Sequence, residues 1–279
     1  MNIINAIINL VNNPVTQLVN YYQNHNRANN AGDALEEYIK DLFANSFDLP
    51  ENKRLERISG VFSYLGNNSN PPDAMLFNGD AIEVKKIESY TAALALNSSY
   101  PKHTVKASDP MISAASKRAE NWTEKDIIYA VGVVRNNNLK QLCMVYGSDY
   151  CASAECYNRI KTTIKNGVEA IPGIEFAESR ELGHINKVDP LGITYMRVRG
   201  MWGIENPWNV FSYVYKRNPQ KNFNFMCIIN NEKWAAFDNT SELTALSKNN
   251  VNLTISDIKI KKPDNPAQLV GAKLIAFSI

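Results

Sequence analysis

The sequence predicts one α/β domain across residues 1–279, a mixed central sheet flanked by helices. Three observations carry that expectation. Apolar, β-rich runs with period-two alternation recur along the chain, among them Asp80 to Lys86, Asp126 to Val134 and Leu139 to Tyr146. Amphipathic helical periods lie between them. No internal repeat, long charge run or interdomain linker interrupts the pattern, and the many asparagines are dispersed.

The elements follow in order. Ile3, Ile4, Ile7, Ile8 and Val11 recur at helical spacing, Asn13-Pro14 breaks the run, and Val15, Leu18, Val19 and Tyr22 resume it. These are two helices that cover the core or contribute to a dimer interface. Gln23 to Asn30 is a polar loop, after which Asp33 is expected to cap a helix to about Phe47 with Leu35, Tyr38, Ile39, Leu42 and Phe43 buried. Arg54 to Tyr64 reads as a strand, and Gly66 to Asn70 as a loop that can approach a phosphate or a base. Asp109-Pro110 is expected to start a helix to about Trp122. The strands Asp126 to Val134 and Leu139 to Tyr146 meet at an Asn-rich turn, and Ser153 is expected to cap a helix to Asn166-Gly167 whose Arg159, Lys161 and Lys165 form a wet face. Leu191 to Gly200 reads as a strand, Phe223 to Asp238 as a hairpin about Asn230-Asn231, and the tail, with Lys259, Lys261 and Lys262, ends in an apolar strand.

The chemistry concentrates at Pro71 to Lys86. Asn78-Gly79 is a type I′ hairpin signal, because both central residues of that turn need φ > 0. Ala74 to Phe77 should therefore pair with Asp80 to Lys86. In the second strand Ile82 and Val84 alternate with Glu83 and Lys85, so a carboxylate and an ammonium share one face of a core strand. A two-residue turn pairs Ala74 with Glu83 and aims Asp73 away from it; the prolines before Asp73 are expected to bend the strand and bring the two carboxylates together. Close carboxylates repel unless a cation lies between them, and hard oxygen ligands suit Mg²⁺ with a phosphate. Lys85 can orient or deprotonate a water, or neutralise charge on phosphorus. Read without that chemistry, the stretch is a hairpin with a Glu-Lys pair on its wet side. Glu36 stands between two roles: a metal or water ligand from the preceding helix, or the partner of Asp33 in a capping box.

Pro72-Asp73 followed by Glu83-Val84-Lys85 resembles the Asp…(Asp/Glu)-x-Lys, or PD-(D/E)xK, nuclease superfamily. The runs Asn29 to Glu36, Asn67 to Asp73, Glu83 to Lys86 and Ala95 to Lys102 resemble the NgoPII-type class II restriction endonucleases more specifically. This resemblance implies a restriction-endonuclease-like fold and Mg²⁺-dependent hydrolysis of double-stranded DNA at GGCC, leaving 5′-phosphate and 3′-hydroxyl ends. It implies Asp73, Glu83, Lys85 and Glu36 as catalytic residues, with Asp73, Glu83 and Val84 at the metal. A catalytic core is expected at about 30–170 and recognition elements at about 180–240. The implied partners are a second copy of the chain, since a palindrome has a two-fold axis, and a DNA methyltransferase that protects host sites. Asn97, Ser98, Ser99, Lys102 and Lys106 offer the donors that phosphate oxygens take up. Arg197 and Arg199 match guanine O6 and N7, with Trp202 beside them to wedge or stack; the plainer reading is that these arginines pair with carboxylates or phosphate.

Composition sets bounds. A formal net charge of +2 requires any nucleic-acid surface to be a local patch. No apolar run is long enough to span a bilayer, so a cytoplasmic protein is expected. Cys143, Cys151, Cys156 and Cys227 show no metal-binding spacing and read as reduced thiols; His25, His103 and His184 are scattered. Two other functions use parts of the same pattern. A repair or junction nuclease recognises DNA shape and yields no discrete plasmid bands, and a noncatalytic DNA-binding protein never cuts.

Overall fold

The computed structural model describes residues 1–67, 70–179 and 181–279, without the side chain of Asn67. The chain opens with α1 (Ile3–Asn12), α2 (Leu18–Asn24), α3 (Ala31–Ala44) and α4 (Glu51–Val61), then a meander of β1 (Phe62–Asn67), β2 (Asn70–Leu76) and β3 (Ala81–Ile87). A crossover carries β4 (Leu94–Asn97), β5 (Thr104–Lys106) and α5 (Ala114–Arg118). Then come β6 (Glu124–Arg135), β7 (Asn138–Tyr146), α6 (Gly147–Tyr150) and α7 (Ala154–Glu169). Short strands follow, β8 (Glu175–Phe176), β9 (Gly183–Asn186), β10 (Met196–Val198) and β11 (Trp202–Ile204), with α8 (Pro207–Val210) after them. The chain closes with β12 (Asn224–Asn230), α9 (Asn231–Ala235), α10 (Thr240–Asn249), β13 (Leu253–Lys262) and β14 (Asn265–Ser278).

Among the described residues the main sheet runs β1-β2-β3-β6-β7-β12-β14-β13, with β5 added beside β6. It is mixed: β3 with β6 and β7 with β12 are parallel, and the other neighbours are antiparallel. Period-two alternation builds a core on each face. Ile82, Val84, Ile128, Ala130 and Met144 pack with the apolar stripes of α1 to α4, while Ala81, Ile127, Tyr129, Val131 and Cys143 pack on the other side with Trp208 and Phe211. The restriction-endonuclease-like mixed sheet flanked by helices is thus as expected. Two smaller ribbons, β4 with β11 and β8-β9-β10, stand apart from it.

Several local expectations are corrected. Residues 54–61 form most of α4 rather than a strand, because Arg54, Ile58 and Val61 make a buried helical face and Arg54 finds a buried partner, Asp41. The cap of α3 is Asn30, whose side chain accepts from the amides of Gly32 and Asp33; Asp33 in turn accepts from Asn29. Asp109 does not begin a helix: its carboxylate takes the Met111 amide and the Lys102 ammonium, and the short α5 is capped later by Ser113. Only Met196–Val198 of the expected 191–200 strand is extended. Asn230 caps the helix α9 instead of turning a hairpin. The helix after Ser153 runs to Glu169, and the Ser153 side chain makes no capping bond. Gly66 and Asn70 belong to β1 and β2; Asn68 and Ser69, in the middle of that expected loop, lie outside the described residues. The left-handed Asn-Asn turn occurs at Asn136 and Asn137, φ 49° and 64°, where β6 returns as β7.

Candidate active site

The hairpin forms with a turn other than the expected one. Asn78 is left-handed at φ 50°, but Gly79 is not, and Leu76 donates its amide to Asp80, so three residues rather than two connect the strands. Tertiary partners hold this loop: the Lys125 ammonium is bonded by the carbonyls of Leu76 and Gly79, and Glu120 accepts the Asn78 amide. The longer loop moves the register by one residue, pairing Ala74 with Ile82 instead of Glu83. Continued by one step, that register sets Asp73 across from Glu83. The ladder stops at Ala74, however, and Asp73 lies just beyond it, where its carboxylate takes the Val84 amide.

β2 and β3 pair at only two positions and then separate. Through this fork Glu36, on the helix-covered side, and Glu83, on the opposite side, line one open cleft of about 540 Å³. Gly66 permits the approach of β1, because a Cβ there would stand 2.6 Å from the Asp73 carbonyl oxygen. Asp73 Oδ2 accepts the Val84 amide at 2.6 Å. Lys85 Nζ is 2.6 Å from Glu83 Oε1 and 4.0 Å from Asp73 Oδ2, while Glu83 Oε2 is buried without a hydrogen-bond partner.

These groups perturb one another. Burial, then the charge of Asp73, pushes Glu83 up to about 7 against the opposing effect of Lys85. Burial and then Asp73 also raise Glu36, which makes no capping bond because the cap lies at Asn30. For Lys85, burial acts to lower the pKa, but Glu83 and then Asp73 outweigh it and hold the ammonium above its ordinary value. The arrangement is two carboxylates beside one lysine, with the Glu36 carboxylate in the same cleft.

The far wall of the cleft is the Ala95–Tyr100 segment with Lys102, Met111, Ile127 and Tyr129. Asn97, Ser98, Ser99 and Lys102 thus line the same cleft as Glu36, Asp73, Glu83, Val84 and Lys85. Lys102 is buried: it pairs with Asp109, lies 4.0 Å over the Tyr100 ring, and exchanges main-chain bonds with the Tyr129 hydroxyl. Ser99 Oγ is buried with no partner. Lys40 and Tyr129 line the cleft although no motif marks them, and for Lys40 a signal exists in its place four residues after Glu36.

Lys106, Arg197, Arg199 and Trp202 do not line the cleft. Lys106 is exposed, 3.8 Å from Glu124. Arg197 makes two bonds of 2.8 Å to Glu181, and Arg199 Nε lies 2.6 Å from the same carboxylate, so both arginines are paired within the chain. Trp202 packs edge-on to Tyr100 and Tyr157 and pairs in the ladder with Asn97, which ties the wall of the cleft to the distal strands. Cys143, Cys151 and Cys227 are buried free thiols and Cys156 is an exposed one. His25 and His103 bond main-chain carbonyls, and His184 lies against Tyr195. Among the described residues no helix is long and apolar enough to cross a membrane.

The family model described as NgoPII restriction endonuclease matches residues 1–261. The chain is similar to the type II restriction enzyme NgoPII of Neisseria gonorrhoeae, with 63% identity over 280 residues covering 100% of both proteins. No solved structure matches it.

Proposed function

The chain belongs to the NgoPII restriction endonuclease family, and from that premise we propose that its cleft cuts double-stranded DNA at GGCC, with Mg²⁺ as cofactor and 5′-phosphate and 3′-hydroxyl ends. The observation that carries this reading is the convergence of Asp73 and Glu83 on the Lys85 ammonium. The donors on hand are carboxylate oxygens, the hard ligands that suit Mg²⁺, and Glu83 Oε2 is buried and unpartnered. Among the described residues no three acidic, histidine or cysteine groups form a ready-made metal cluster. That is compatible with an ion that takes much of its shell from water and phosphate. Asp73, Glu83 and the Val84 carbonyl would hold it, with Glu36 beside them. When bound, it supplies Lewis acidity at a phosphoryl oxygen and lowers the pKa of a bound water.

The chain's own groups do the rest. Lys85, whose ammonium lies 2.6 Å from Glu83 and 4.0 Å from Asp73, neutralises charge on the phosphate. Glu36, which lines the same cleft, accepts a proton from the attacking water. Asn97, Ser98 and Ser99 contact the strand along the opposite wall, Lys102 supports that wall through its pair with Asp109, Lys106 contacts a phosphate outside it, and Arg197 and Arg199 read guanines once they leave Glu181, with Trp202 alongside. The working unit is a homodimer of single-domain chains, one hairpin per strand, acting in the cytoplasm where a cognate methyltransferase protects the host's sites.

Plasmid digestion in Mg²⁺ with mapping of the ends tests the reading. Discrete fragments cut within GGCC and carrying 5′-phosphates are expected; nicks that follow DNA shape would overturn it. Asp73→Ala, Glu83→Ala and Lys85→Ala should each lose cleavage by orders of magnitude while site binding persists. Glu36→Gln should lose cleavage with an unchanged melting temperature, whereas retained single-turnover cleavage would remove Glu36 from the mechanism.

A further inference from the structure

The cleft contains a cation that neither the hairpin nor the opposite wall supplies. Lys40 lies on α3 four residues beyond Glu36, hence on the same helical face one turn farther along, and both side chains line the cleft. Its Nζ stands 2.6 Å from Glu37 Oε1, and the other oxygen of Glu37 is bonded by the buried Arg54. The ammonium is therefore held by a carboxylate that is itself fixed, with a fifth of the Lys40 side chain still exposed. The other lysines of the cleft have different tasks. Lys85 lies between Glu83 and Asp73, and Lys102 is buried against Asp109.

A DNA strand threaded past the hairpin brings more than the scissile phosphate into the cleft. Its neighbour also needs a cation, since a duplex exposes a charge at every nucleotide. Four residues of helical rise, about 6 Å, separate Glu36 from Lys40 along α3, a distance of the order of one step between phosphates on a strand. We infer that Lys40 binds the phosphate adjacent to the one cut, on the same strand, and so sets the register of that strand over Asp73 and Glu83. The inference rests on the proposed role of the hairpin in cleavage.

Duplexes carrying the mapped site, with one phosphate at a time replaced by an uncharged methylphosphonate, test it against Lys40→Gln and Lys40→Arg. For the parent, neutralising one phosphate next to the cut should weaken binding about fivefold to fiftyfold, in the range of a single charged contact. In Lys40→Gln the unmodified duplex should already bind that much more weakly. The same methylphosphonate should then cost nothing further, and the slope of log affinity against log salt should flatten by about one. Lys40→Arg should recover most of the loss. Binding and salt slope equal to the parent's, or losses that add at every phosphate, would overturn the inference and leave Lys40 as a counterion to Glu37. A melting temperature close to the parent's shows that α3 has kept its place; if it falls, Glu37→Gln, which keeps Lys40, should still show the parent's methylphosphonate penalty, and its disappearance there also overturns the inference. Asp73→Ala separates the two readings. If that variant still cuts, the hairpin reading fails; if it is inert while Lys40→Gln matches the parent, only the Lys40 contact fails.

Discussion

The sheet around the hairpin and the segment from α7 to β11 are built on opposite terms. Around the hairpin, charged groups are enclosed and tied to one another: Arg54 is bonded to Asp41 and Glu37, and Lys233 bridges Asp80 and Asp126. In the distal segment α7 buries none of its sixteen residues. Leu191, Ile193 and Met201 are 83%, 76% and 80% exposed, and the ion pairs lie at the surface. Under the proposed function the difference matches two tasks. Groups that act on a reacting phosphate must be held within fractions of an ångström by packed neighbours, whereas a surface that meets a partner molecule keeps its apolar and cationic side chains outside.

Six substitutions would break or sharpen this contrast. The largest effect is expected at Arg54→Ala, which strands Asp41 in the core without its main partner. A loss of about 3–5 kcal/mol in urea unfolding is expected, and a loss below about 1 kcal/mol would show the buried network to be dispensable.

Asp149→Asn should act through pH. Burial pushes Asp149 up to about 6, against the lowering effect of its Asn230 hydrogen bonds and of nearby His103, with Asp126 adding to the rise. Because the folded pKa lies above the ordinary 3.8, the stability linked to the protonated form is complete below about 3.8 and is lost as pH rises through about 6. The asparagine variant stays neutral. It should match the parent near pH 4 and exceed it by about 1–3 kcal/mol at pH 8; a constant difference between the two pH values would rule out the linkage.

Arg197→Ala and Arg199→Ala in the distal segment should leave unfolding unchanged. Each should weaken binding to the cognate site by roughly tenfold to a hundredfold and to random DNA far less. Equal losses on both DNAs would make them phosphate contacts. The smallest effect is expected for Leu191→Ser and Ile193→Ser, which should shift stability by no more than about 0.5 kcal/mol. A large destabilisation would mean that these side chains are covered, which would remove the contrast.

The parts of the fold legible in sequence are those in which one element states its own periodicity. α1 appears where the apolar spacing places it, α2 and α3 appear with altered bounds, α2 starting at Leu18 rather than Val15 and α3 ending at Ala44 rather than Phe47, and the Asn136-Asn137 turn joins two runs that are β-rich on their own terms. The misreadings have one cause. Arg54 on a helical face looks like an interruption unless Asp41 is known to lie beneath it, and Asp109 looks like a helix cap unless Lys102 is known to claim its carboxylate.

The candidate site divides along the same line. Period-two alternation by itself determined that Glu83 and Lys85 share a face while Ile82 and Val84 take the core, because successive side chains of any strand point to opposite sides. Tertiary structure alone decided that Ala74 pairs with Ile82 and that Asp73 and Glu83 both reach Lys85, since the register follows a loop gripped by Lys125 and Glu120 from more than forty residues away. It also decided that Glu36 and Lys40 enter the cleft, because a helix records which of its faces is apolar but not which fork in a sheet the other face will overlook.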